Sequence, residues 1–245
     1  MKRKIFAVRV LAVAWWLIIA STGTAFADYV TYISINNPSF EEHDSYTKAI
    51  SIDYLSVLST YPNLVWPWPE ISPSVAPEGS RLWVDTIAGW NATYHSGTIN
   101  FEDMLFPSGI PNGDDVAFTN ASAMISQTLS STLCPNTTYE LTVYVGDHSD
   151  TNYSIQLLAG GTVLASDDNS LDPYRTFLPS TVTYTASADD PYLGETLEIR
   201  LISYTGGNVF DNVSLKATPA PEPTTMLLLG LGLIGVAVAR RKFKE

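Results

Sequence analysis

The sequence predicts an all-β fold, arranged as a single β-sandwich, for the middle of this 245-residue chain. Seven short stretches alternate apolar with polar residues and are rich in β-branched and aromatic side chains, as strands buried on one face are. Turn-forming residues such as Gly160-Gly161 separate them, and no long stretch outside the chain ends has helical spacing of apolar residues. Many short strands joined by turns are typical of a sandwich. The predicted strands are 29–35, 123–129, 139–145, 153–158, 181–185, 197–202 and 209–215.

The first element of the chain, residues 1–27, has the composition of a secretory signal peptide. Lys2, Arg3 and Lys4 precede an apolar stretch over residues 10–20, and Ala25-Phe26-Ala27 provides a cleavage site of the small-x-small type. The apolar stretch is short for a membrane span, so we expect removal after Ala27 and export of the rest. An uncleaved anchor is the alternative interpretation.

The exported part is strongly acidic. Residues 28–217 contain 23 of the 25 acidic residues but only 5 of the 13 basic ones, which leaves a net charge of −18. Such a surface repels phosphate groups, so we expect no nucleic-acid partner. The chain has one cysteine, Cys134, which excludes an internal disulfide and is interpreted as a buried apolar thiol.

Two segments before residue 91 depart from the strand pattern. Residues 45–58 are a weak helix candidate that Pro62 would end. Residues 61–77 contain five prolines with Trp66 and Trp68 between them, so this segment is predicted to be a stiff aromatic loop. Flat aromatic rings held in such a loop are suited to stacking on sugars. Trp83 and Trp90 are interpreted instead as core residues, and burial in the core is the alternative for Trp66 and Trp68.

The C-terminal segment, residues 218–245, predicts a sorting and anchoring tail. Pro221, Glu222 and Pro223 are followed by sixteen uncharged residues, 224–239, which as a transmembrane helix would be roughly 24 Å long. That is slightly short of a hydrocarbon core of about 30 Å, and snorkelling basic residues can compensate. The basic cluster keeps this end cytoplasmic and places the sandwich outside. It consists of Arg240, Arg241 and Lys242.

This order of features closely resembles the PEP-CTERM sorting signal. The resemblance implies a membrane-tethered intermediate and an exosortase partner that cuts near the Pro-Glu-Pro triplet. It also implies transfer from the inner membrane of a Gram-negative bacterium to the cell surface or the exopolysaccharide matrix. An ordinary anchor that is never cut is the alternative.

The middle of the chain resembles the galactose-binding-like jelly rolls of carbohydrate-binding modules. The resemblance lies in the opening segment 35–41, in the segments 89–90, 110–117 and 125–129, and in the closing strand 209–215. It implies a jelly-roll sandwich over residues 28–217. It also implies a structural Ca²⁺ that joins the first and last strands, with Glu41 and Asp211 at the matching positions. Without a cation, Glu41 would be a solvated turn residue and Asp211 a hydrogen-bonding partner at a strand end.

No pattern in the sequence selects a catalytic site. The paired acidic residues Asp114-Asp115, and Asp147 with Asp150, are interpreted as surface turns, and the segment around His148 as a polar loop. We therefore expect a non-catalytic exported protein of the cell surface or exopolysaccharide matrix. The alternative is carbohydrate binding through Trp66 and Trp68, and a secreted glycoside hydrolase ranks third.

Overall fold

The computed structural model describes residues 29–50, 72–75, 81–100, 106–120, 122–147, 152–220 and 230–236. The chain divides into two units. One consists of residues 31–217, and the other combines residues 1–30 with residues 218–245. The signal peptide, Trp66, Trp68, Pro221–Pro223 and the basic cluster lie outside the described residues.

The larger unit is an antiparallel β-sandwich, as the sequence predicts. The larger sheet has the strand order β11-β8-β13-β6-β5-β3-β2, with β1 paired to β13, and the smaller has the order β10-β9-β12-β7-β4. The strands are β1 (Thr31–Ile33), β2 (Lys48–Ile50), β3 (Arg81–Val84), β4 (Asn91–Ala92), β5 (Ser96–Asn100), β6 (Asp115–Asn120), β7 (Met124–Thr132), β8 (Thr137–Asp147), β9 (Asn152–Ala159), β10 (Thr162–Asp168), β11 (Phe177–Ala186), β12 (Thr196–Thr205) and β13 (Gly207–Pro219). A 3₁₀ turn covers Pro73–Val75.

All seven predicted strands are confirmed, and so is the hairpin turn at Gly160-Gly161 between β9 and β10. The helix predicted over residues 45–58 is wrong where it is described, because residues 48–50 form β2. Its Lys48 lies opposite Trp83 of β3. Pairing with a distant strand outweighs the weak helical pattern of this segment.

The main core lies between the two sheets and is lined by alternate residues of each strand. Leu141 and Val143 of the larger sheet face Ile155 and Leu157 of the smaller one across it. A second apolar cluster lies on the outer face of the larger sheet, since Val116 in this cluster neighbours Ala117 in the main core. The buried members of this outer cluster are Trp83, Ile99, Phe106, Val116 and Val209.

The expected burial of Trp83 and Trp90 is confirmed. The expected burial of Cys134 is wrong. Its side chain is exposed in the turn between β7 and β8, where the thiol lies 3.6 Å from the carbonyl oxygen of Thr132.

Within the predicted tail, the structure describes residues 218–220 and residues 230–236. Residues 230–236 are helical. Within the described part of the chain, no helix has the length and apolar character needed to cross a membrane.

Candidate functional site

Residues 35–41, the opening segment of the predicted jelly roll, form a loop. The buried side chains of Trp90 and Gln127 make hydrogen bonds to it. Trp90 Nε1 donates to the carbonyl oxygens of Asn36 at 2.9 Å and Asn37 at 3.2 Å. Gln127 accepts from the Asn36 amide at 2.8 Å and donates to the Asn36 carbonyl at 2.9 Å. Gln127 also donates to the Gly89 carbonyl at 3.0 Å. The segments at 35–41, 89–90 and 125–129 therefore meet at one place.

The same loop is shaped by two residues in the left-handed backbone region. Asn37 has φ 47° and Phe40 has φ 61°. The Asn37 side chain bonds both the amide and the carbonyl of Glu42, which stabilises the turn. Phe40 is fully buried with its ring 5.3 Å from that of Trp90, so core packing holds the strained residue. This turn places Glu41 at the end of the sandwich.

Glu41 points at the backbone of the segment that precedes β6. Its Oε1 accepts from the amides of Asp114 at 3.1 Å and Asp115 at 3.0 Å. Gly113 allows this close approach, because a Cβ at that position would lie 2.1 Å from Oε1. Burial raises the pKa of Glu41, the two amides oppose that change, and the neighbouring Asp115 and Asp114 charges add to it.

Asp211 of β13 is fully buried and is held by the same segment. Its Oδ2 accepts from the Asn112 amide at 2.8 Å, and its Oδ1 accepts from the Asn212 amide at 2.6 Å. Burial raises the pKa of Asp211 to about 7 against the effect of these two amides, and the charge of Glu41 raises it further. The structure thus brings Glu41 and Asp211 into one corner, together with the buried Asp115. We call these three residues the acidic corner.

The charge of the acidic corner bears on the expected calcium ion. Ca²⁺ takes six to eight oxygen ligands, and a divalent charge would favour the ionised form of a desolvated carboxyl such as Asp211. Among the described residues, no three or more His, Cys, Asp or Glu side chains are grouped so as to hold a metal ion. A calcium ion at Glu41 and Asp211 therefore stays a prediction.

The interpretation of Asp115 as a surface turn residue is wrong. It is buried at the start of β6, with its Oδ2 2.9 Å from His43 Nε2 and its Oδ1 accepting from the Tyr46 hydroxyl at 2.5 Å. The His43 and Tyr46 rings lie 4.4 Å apart. Burial, followed by the hydrogen bond to Asp115, raises the pKa of Tyr46. Asp147, also expected at the surface, is buried at the end of β8.

No sequence pattern predicts the contact of His43 and Tyr46 with Asp115, because Asp115 lies 72 and 69 residues away from them. Chemically, the acidic corner holds three carboxyl groups, of which Asp211 has a pKa that burial raises to about 7. It provides proton donors and acceptors, or negative charge for a cation.

The comparisons with known proteins agree with this architecture. The HpiC1 cyclase family matches residues 31–216, and the PEP-CTERM protein-sorting motif matches residues 219–242. The apo form of a cyclase from Fischerella sp. is 31% identical, with 79% of this chain and 98% of that chain covered and a TM-score of 0.58. A Fischerella sp. TAU cyclase in complex with 4-(1H-indol-3-yl)butan-2-one is 28% identical, covering 78% and 100% with a TM-score of 0.56.

A xylan-binding domain from Paenibacillus barcinonensis Xyn10C also matches, at 14% identity over 56% of this chain and 90% of that one, with a TM-score of 0.40. No curated protein is similar enough to the chain to be matched to it. The predicted resemblance to the PEP-CTERM signal is confirmed, and this tail marks an exported protein that an exosortase processes. By the match over residues 31–216, the chain belongs to the HpiC1-cyclase-like family.

Proposed function

We propose that this protein is released by an exosortase and acts at the cell surface or in the exopolysaccharide matrix. The observation that carries the proposal is the PEP-CTERM motif over residues 219–242, which begins at the last residue of β13. The prolines on both sides of Glu222 favour an extended backbone, which a protease can reach. The strongly negative charge of residues 28–217 suits a soluble extracellular domain.

The experiment is fractionation of the native host followed by intact-mass measurement of each form. We expect a membrane-bound precursor and a surface or medium form that lacks residues 1–27 and the tail beyond the Pro221–Pro223 triplet. Glu222→Ala should trap the precursor, whereas Pro219→Ala, just before the triplet, should be processed normally. A surface form with an intact C-terminus would contradict the proposal.

A second candidate function, binding or cyclisation of a small aromatic compound, is favoured by the family. Relatives that match over nearly their whole length are cyclases, one of them in complex with an indole ketone. The acidic corner supports this candidate because Asp211, with its pKa raised to about 7, can hold or release a proton at neutral pH. Asp211 is fully buried, so the substrate of either a cyclase or a glycoside hydrolase would reach it only if the opening loop moved.

Calorimetric titration with 4-(1H-indol-3-yl)butan-2-one tests this second candidate. Saturable binding that Asp211→Asn weakens would support it. Absence of binding by a folded protein would count against it.

Carbohydrate binding through Trp66 and Trp68 stays a proposal that rests on the proline-stiffened loop in the sequence. Affinity electrophoresis in gels containing polysaccharide tests it. Retardation that is lost in the Trp66→Ala/Trp68→Ala variant would support this role.

A structural Ca²⁺ at Glu41 and Asp211 is likewise a proposal, supported by the shared corner of two desolvated carboxylates. If it binds, Ca²⁺ should raise the melting temperature relative to EDTA. Mg²⁺ should have a smaller effect, because it prefers a tighter octahedral shell. The Glu41→Gln variant should lose the response to Ca²⁺.

A further inference from the structure

Three turns near the C-terminal end of β6 are joined by hydrogen bonds. The Thr93 amide donates to the Met124 carbonyl at 3.0 Å, and the Ser203 amide donates to the Ala123 carbonyl at 3.0 Å. The Asn120 amide donates to the carbonyl of His95 at 2.9 Å. These bonds place the β4–β5, β6–β7 and β12–β13 connections side by side.

Two tyrosines project from this end into solvent. Tyr94 lies between β4 and β5 and is 87% exposed, and Tyr204 at the end of β12 is 48% exposed. The Tyr94 ring lies against the His95 ring with centroids 3.9 Å apart, and this contact restricts its rotation. We call the segments 91–96, 119–120, 122–124 and 203–208 the tyrosine end. Exposed aromatic side chains on neighbouring turns are a common feature of binding surfaces.

The tyrosine end is uncharged in a strongly acidic domain. Its segments contain no Asp, Glu, Lys or Arg, whereas residues 28–217 as a whole have a net charge of −18. The acidic corner, at the start of β6, contains three carboxyl groups. A ligand at the tyrosine end therefore meets hydroxyl, amide and aromatic groups, which suit a neutral polar partner and not an ion.

The segments of the tyrosine end also contain buried polar side chains. Asn208 donates to Ser203 Oγ at 2.7 Å and to the Asn152 carbonyl at 3.1 Å. Thr119, which lies opposite Asn208 in the sheet, is fully buried, and its Oγ1 has no hydrogen-bond partner among the described residues. An unpaired buried hydroxyl is costly unless a water or a ligand group completes its hydrogen bonds.

We propose that the tyrosine end binds a neutral polysaccharide, with sugar rings stacked on Tyr94 and Tyr204. Sugar rings present apolar C–H faces that pack on aromatic rings and hydroxyl groups that bond to neutral polar groups. The proposal rests on the proposed role in the exopolysaccharide matrix and names the surface that would contact the polymer there. It is independent of the segment that contains Trp66 and Trp68.

The test is affinity electrophoresis of the full-length chain in detergent, with dextran, xylan or alginate in the gel. We expect at least one neutral polymer to retard the protein, and anionic alginate to have no effect. The Tyr94→Ala/Tyr204→Ala variant should lose at least tenfold in affinity. Tyr32→Ala is the matched control, because Tyr32 is also highly exposed, at 71%, but lies on β1.

Two outcomes would overturn the proposal. One is the absence of retardation by both neutral polymers and by the exopolysaccharide of the host. The other is retardation that persists in Tyr94→Ala/Tyr204→Ala, whether or not Trp66→Ala/Trp68→Ala abolishes it. Either result leaves exosortase processing intact, because fractionation of the host tests that separately.

Discussion

The backbone amide of Asn112 donates a hydrogen bond to Asp211 Oδ2 at 2.8 Å and so joins the loop before β6 to the closing strand, 99 residues away. Asp211 is fully buried, and Glu41 from the opening loop adds its charge to the same corner. The two ends of the domain thus meet through carboxyl groups and backbone amides. Stability and ionisation are coupled at this place.

Stability should fall as the pH rises from about 4 to about 7 in the presence of EDTA. Burial raises the pKa of Asp211 to about 7 from its ordinary value of 3.8, so the folded state retains a proton that the unfolded state has lost over this window. The stabilising contribution is complete below about 4 and is lost as the pH passes about 7. The loss should amount to a few kcal/mol, about 1.4 kcal/mol for each unit of pKa difference. Urea unfolding at pH 5 and pH 8 measures it.

Asp211→Asn is the control for this pH dependence. It should flatten the profile between pH 5 and pH 8, although it lowers stability at both values, because one amide then faces an N–H group instead of an oxygen. If calcium binds here, adding Ca²⁺ should also flatten the profile for the native chain. An unchanged slope in Asp211→Asn would assign the pH dependence to other groups.

Gly113→Ala should displace Glu41 and lower the free energy of unfolding by about 1–3 kcal/mol. Gly113 has φ 73°, and a Cβ there would lie 2.1 Å from Glu41 Oε1. Gly109→Ala is a matched control, since Gly109 has φ 80° with no atom within 4 Å of the added Cβ. Chemical denaturation of both variants separates backbone strain from the clash with Glu41. Equal losses of unfolding free energy in Gly113→Ala and Gly109→Ala would show that Glu41 moves aside without cost.

The strands differ in how well the sequence predicts them, because they differ in burial pattern and in length. β8 and β12 bury one face against the main core, and their burial therefore alternates along most of each strand. β5 was not predicted, because all four residues from Ser96 to Ile99 are buried and no alternation marks them. β2 and β3 are only three and four residues long, and their pairing depends on partners distant in the sequence.

The candidate site was predictable only in part. Glu41 and Asp211 were selected by resemblance to a family, and the structure brings them together. Asp115 was assigned to the surface because a pair of adjacent aspartates usually forms a turn. Its burial depends on His43 and Tyr46, which reach it from 72 and 69 residues away. No local sequence pattern predicts such a long-range contact.

Gly146→Ala should destabilise the outer apolar cluster, which the smaller sheet does not touch. A Cβ at Gly146 would lie 2.8 Å from atoms of both Phe177 and Val209 and 3.0 Å from the Phe106 ring. Overpacking of this kind costs about 1–3 kcal/mol. Phe106→Leu in the same chain should recover part of the loss, and thermal unfolding of the single and double variants measures the coupling. Strict additivity would mean that the Phe106 ring does not limit the space at Gly146.

Gln127→Met should loosen the opening loop while keeping the volume of the buried side chain. Gln127 satisfies the Asn36 amide, the Asn36 carbonyl and the Gly89 carbonyl, and Met can bond none of them. Leaving these buried groups unpaired should cost about 2–4 kcal/mol in the free energy of unfolding. Hydrogen exchange of the Asn36 amide should accelerate, while that of the β8 amides follows only the global change.

Thr128→Val, on the same strand as Gln127, is the control. It removes an exposed hydroxyl and should leave both the free energy of unfolding and the exchange of the Asn36 amide unchanged. A Gln127→Met protein as stable as the native chain would show that water replaces the side chain and that Trp90 alone holds the loop.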